Sequence, residues 1–126
     1  QINDIFIRMQ MLRNKQLDAV WTSEPQTTQA KILGNKEIYN STKQDFTPGA
    51  IVFVNAPKVE KRKAFEDAYN KAVDMINKHP IQYFAPLIKK YMRVDDKVIS
   101  ALPNMVYKRV TPPRQRDIIK AQNAIM

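Results

Sequence analysis

The sequence predicts an α/β chain, with short apolar strands in its front half and helices behind them. Leu17 to Thr22 and Ala50 to Asn55 are short, nearly continuous apolar runs, as expected of strands covered on both faces. The second is β-branched or aromatic over Ile51-Val52-Phe53-Val54. Around them, apolar residues recur at helical spacing. The resulting order is helix, strand, helix, strand, loop, strand, then helices, a pattern that points to parallel pairing in the front half.

The elements follow in order. Ile2, Ile5, Phe6, Met9 and Leu12 make one face of an amphipathic helix, which Asn14-Lys15-Gln16 ends. The strand Leu17–Thr22 runs into Pro25, which suits the first turn of a helix to about Leu33. Gly34 stands where a left-handed C-cap is wanted. Glu37 to Tyr39 reads as a short strand, and residues 40–49 as a turn-rich loop. After the strand 50–55, Asn55 can cap a helix over about Pro57 to Lys78, with Phe65, Ala68, Tyr69, Ala72, Val73 and Ile76 on its apolar face. Pro86 must kink or divide the helical stretch Ile81 to Tyr91. Asp95 caps a helix to about Leu102, and a last helix runs from about Arg114 to Ile125.

The chain has 126 residues, enough for one domain with a core. It has no Cys, which excludes disulfides, thiolate catalysis and Cys-based metal sites. Its only His, His79, precedes Pro80 at a helix end and offers no metal site. No apolar run approaches the roughly 20 residues that span a bilayer. There is no signal peptide at the start and no initiator Met, so a trimmed or excised piece of a longer protein is expected. The net charge is +9, and residues 57–126 carry 15 Lys/Arg against 7 Asp/Glu. The basic residues are dispersed among acids, which fits a solvated helical surface better than a nucleic-acid interface. Lys58, Lys61, Arg62 and Lys63 form the one basic run, a solvated surface or a docking face for a membrane permease.

A strand that ends at a strand-to-helix turn is where open α/β sheets place ligands. That turn carries Trp21, Thr22, Ser23 and Glu24. Trp21 could stack on a planar ligand, the Thr22 and Ser23 hydroxyls could bond an oxyanion, and Glu24 could accept from an amine. The competing reading needs no ligand: a core Trp, an N-cap from Ser23, and Glu24 as an early acid near the helix dipole. Catalysis has little support, since Ser23 has no companion His at a recognisable spacing and only two Gly are present, too few for a phosphate loop.

The run from Met9 to Trp21 and the following Glu24-Pro25 resemble a stretch of the substrate-binding proteins of ABC importers for nitrate, alkanesulfonates, taurine and thiamine precursors. That stretch reads Gly-x-Ile-Asp-Ala, then Trp-Glu-Pro; here Lys15-Gln16 precede Leu17-Asp18-Ala19, and Thr22-Ser23 stand between Trp21 and Glu24. Pro48-Gly49 before Ile51–Asn55 resembles the returning strand, and Met75-Ile76-Asn77-Lys78-His79-Pro80 resembles a helix end of the same family. Val94-Asp95-Asp96-Lys97-Val98 fits its closing helices.

The resemblance implies part of a periplasmic-binding-protein type II fold. Residues 1–49 would belong to the second ligand-binding lobe, and 50–126 would be the hinge strand and C-terminal helices. It implies an extracytoplasmic solute-binding component that closes two lobes over a small polar or anionic solute, with no enzymatic activity and no cofactor. Trp21, Thr22, Ser23 and Glu24 would face the solute, with Pro48 and Gly49 near the hinge. Implied partners are the solute and an ABC permease, not nucleic acid; membrane association would be through a lipid anchor. The unpaired edges of Ile51–Val54 imply a homo-oligomer or a domain swap. The alternatives are an effector-binding domain of a transcription regulator, which shares the fold, and a pyrimidine-biosynthesis enzyme, which would gather His and Cys residues that this sequence lacks.

Overall fold

The computed structural model describes residues 2–45 and 49–125, and among them there is no strand: the chain is 56% helical. The α/β expectation, and with it the periplasmic-binding-protein type II fold, is therefore corrected to an all-helical one. Leu17–Thr22, Glu37–Tyr39 and Ala50–Asn55 are neither helices nor strands. The reason lies in where hydrogen bonds come from. A helix satisfies its backbone within itself. A strand needs a neighbour across the sheet, and an isolated pair is marginal. Val20 is half-buried but Asp18, Ala19 and Trp21 are exposed, so the first run has no sheet to cover it.

The helices obey local rules. In α1, Ile5–Arg13, the Asp4 carboxylate caps the amides of Phe6 and Ile7 at 2.8 and 3.0 Å. Its far end closes with a left-handed residue, Lys15 at φ 55°, whose N–H bonds to Leu12 while the Gln16 N–H bonds to Met11. Helix α2, Gln26–Ile32, closes the same way around Gly34 at φ 90°, with the Asn35 N–H on the Ala30 carbonyl. The expected glycine cap is thus in place. Pro25 sits at the N-cap of α2, after a cis peptide from Glu24.

Helix α3, Val59–Lys78, begins later than the sequence suggests, with Lys58 and not Asn55 at its N-cap. Pro86 divides the next stretch into a 3₁₀ turn, Ile81–Phe84, and α4, Ala85–Met92. Helix α5, Asp96–Ala101, is capped by Asp95, whose Oδ1 accepts from the Val98 N–H at 2.9 Å. Helix α6 spans Gln115–Ile125.

The chain divides into two units. The first comprises residues 1–39 and 80–105 and holds α1, α2, α4 and α5. Its core is Ile88, Val94, Val98, Ile99 and Leu102, with Ile32, Ile81, Phe84 and Ala85 packed against them. Gln82 Nε2 donates to the Ile99 and Leu102 carbonyls at the end of α5.

The second unit comprises residues 40–79 and 106–126 and holds α3 and α6. Val73 is its only buried apolar residue among the described ones. The expected apolar face of α3 is otherwise half-covered or open. What organises this unit is polar. Asn70, Asp74 and Asn77 recur at helical spacing along α3 and hold the extended residues 107–110. Asn77 donates to the Tyr107 carbonyl at 2.8 Å and accepts its N–H at 2.9 Å. Asp74 pairs with Arg109, and Asn70 accepts the Val110 N–H at 2.8 Å.

Candidate functional site

Trp21, Thr22, Ser23 and Glu24 lie together in the first unit, in the segment that joins α1 to α2. Arg8 on α1 fixes this segment by donating from Nη1 to the Trp21 carbonyl at 2.8 Å. The Trp21 ring is 68% exposed, which rules out the core reading. It lies 5.7 Å from the Tyr39 ring, tilted by 33°, and the two form an open aromatic surface. Thr22 Oγ1 donates a long bond of 3.4 Å to the Ser23 carbonyl, and the exposed Ser23 hydroxyl bonds to none of the described residues. The Ser23 side chain does not cap α2; its carbonyl accepts the Thr27 N–H. Glu24 is occupied, for its Oε2 accepts the Thr28 N–H at 3.1 Å as an acid at the helix start. The segment therefore offers a stacking ring and hydroxyls, and its carboxylate is already engaged.

Gly49 lies in the second unit and is exposed, with nothing within 4 Å of where a Cβ would stand. Pro48 lies outside the described residues. The sequence reading missed Tyr39, which the interval between residues 21 and 39 hides; an aromatic after the cap of α2 was the available signal.

A second constellation was also missed. In the second unit, Asp45 receives Arg114 Nη1 at 2.8 Å, Arg116 Nη2, and Lys108 Nζ at 3.8 Å. Arg114 also donates from Nε to the buried Asp117 at 2.7 Å. Hydrogen bonds from Arg114 and then Arg116 hold the Asp45 carboxyl well below its ordinary value of 3.8. A carboxyl depressed on folding stabilises the fold above its unfolded value, and that contribution is lost as pH falls through the folded value. Acidification below 3.8 should therefore lower the melting temperature of the wild type more than that of Asp45→Asn, as followed by circular dichroism. Equal losses would show that Asp45 does not hold this unit. The group is exposed, so added salt should shrink the difference.

Among the described residues no cluster of His, Asp or Glu could hold a metal ion, and no helix is long and apolar enough to cross a membrane. Comparison with protein families, curated proteins and solved structures finds no match.

Proposed function

We propose that this chain is a solute-binding component of an ABC importer that acts outside the cytoplasm, captures a small polar or anionic solute, and does no chemistry on it. The observation that carries the reading is the backbone of Lys15. Its φ of 55° is a conformation suited to glycine, and Lys15 stands where the resembling pattern, Gly-x-Ile-Asp-Ala, carries Gly. A non-glycine residue there costs about 1 kcal/mol, and the left-handed turn stands directly before Leu17-Asp18-Ala19. The exposed Trp21 and the hydroxyls of Thr22 and Ser23 supply contacts that suit a small oxyanion with an apolar part. Closure of two sheet-based lobes has no counterpart among the described residues, which form no sheet.

Trp21 is the only Trp in the chain, so its fluorescence reports on this segment alone. Titration with nitrate, taurine, an alkanesulfonate and an aminopyrimidine should give a saturable change with one of them, accompanied by a rise in melting temperature. A linear response without that rise is collisional quenching and counts against the proposal, as does no response to any of the four.

A further inference from the structure

We propose that Lys108, Arg114 and Arg116, at the start of α6, form a binding site for a dianionic phosphate group, and that the Asp45 carboxylate closes this site from within the chain. The inference does not rest on the solute-binding reading, which concerns the first unit; this cluster lies wholly in the second.

What already occupies the place shows what it accepts. A carboxylate is an oxyanion, and the two oxygens of Asp45 are divided between two guanidinium groups. Oδ1 accepts from Arg114 Nη1 at 2.8 Å, and Oδ2 accepts from Arg116 Nη2. Lys108 Nζ stands 3.8 Å from Oδ1. Two planar guanidinium groups and a mobile ammonium converging on one point suit phosphate oxygens. The Arg114 guanidinium is also held from behind, because its Nε donates to the buried Asp117 at 2.7 Å. Helix α6 adds donors of its own. The N–H groups of Gln115 and Arg116, in its first turn, bond to none of the described residues.

Charge decides the class of ligand. Lys108, Arg114 and Arg116 bring three positive charges, and the Asp117 carboxylate offsets one. Two remain, and Asp45 supplies only one. A phosphate group carries close to two negative charges above neutral pH, so it balances the cluster where a single carboxylate does not.

The closure is weak enough to yield. The Asp45 side chain is 60% exposed, and exposed ion pairs are weak and sensitive to salt. The Asp45 carbonyl also accepts from Arg114 Nη2 at 3.4 Å and Arg116 Nη2 at 3.1 Å. The backbone therefore has its own hold on the cluster, and an incoming phosphate has only the carboxylate to replace.

The test is rescue. Asp45→Ala vacates the place and keeps the cations. At about pH 8, where the dianion prevails, exchange of chloride for phosphate at constant ionic strength should raise the melting temperature of Asp45→Ala well beyond that of the wild type, as followed by circular dichroism. General salting effects appear equally in both proteins. Adding Arg116→Gln to Asp45→Ala should abolish the extra rise. Isothermal titration with phosphate should show Asp45→Ala binding several-fold more tightly than the wild type. Asp45→Asn, which keeps the shape and loses the charge, should show the same preference where Asp45→Ala does not fold. O-phosphoserine acting as phosphate does assigns the site to a monoester; phosphate acting alone assigns it to the free ion. Equal rises in the wild type and the Asp45 variants overturn the proposal. So does a rise that survives Arg116→Gln, or wild-type binding as tight as that of the variants.

Discussion

Replacing Ile99 by Ala should lower the stability of the first unit by about 3 kcal/mol, through lost apolar transfer and the cavity left behind. Ile99 is 3% exposed and belongs to a cluster of five buried residues, so no neighbour can readily fill the space. That loss is a large part of what a small unit has to spend. Trp21 lies in the same unit and provides the signal. In urea, the midpoint of the Trp21 transition should move to markedly lower denaturant with the slope unchanged. Ile99→Val removes one methyl and should cost about 1 kcal/mol. An unchanged midpoint for Ile99→Ala would show that this cluster does not hold the unit together.

The second unit should respond most to Asn77→Ala. This substitution removes both bonds between the Asn77 side chain and the Tyr107 backbone. At about 1 kcal/mol for each bond, the cost is about 2 kcal/mol. Amide exchange localises it. Asn77→Ala should expose the Tyr107 N–H and leave the Val110 N–H protected by Asn70, and Asn70→Ala should do the reverse. If both amides exchange faster in both variants, residues 107–110 detach as one piece and the tethers are not separate. Asn77→Asp keeps the acceptor for the Tyr107 N–H but sets a carboxylate oxygen against the Tyr107 carbonyl, so it should not rescue the fold.

How legible all this was depends on the range of the interaction. The cap at Asp95, the left-handed Gly34 and the division at Pro86 could be read directly, because each acts within a few residues of itself. The helix over 115–125 was expected almost to the residue. The apolar run Ile51–Val54 was recognised as β-prone, but a preference for extended backbone does not supply the strand beside it. Asn70, Asp74 and Asn77 lie at helical spacing, but a polar stripe reads as a solvated face and gives no sign of what it holds. Only the extended residues 107–110, some thirty to forty positions away, turn it into a set of tethers.

The candidate site divides in the same way. The sequence alone placed Trp21 before a helix start, with hydroxyls between Trp21 and an acid. It could not say that Trp21 faces solvent, that Tyr39 lies beside it, or that Glu24 is already engaged by the Thr28 amide. Asp45 meets Arg114 across 69 positions and Arg116 across 71, a separation that no local pattern encodes. What the sequence by itself determined, then, is where most helices stop and where α5 and α6 start, since a helix bonds within its own turn, while the starts of α1 and α3 lay further along than it suggested. Whether the apolar extended runs become strands, which polar groups meet, and which aromatic ring stays open were decided only by tertiary structure, because each depends on a partner far along the chain or outside it.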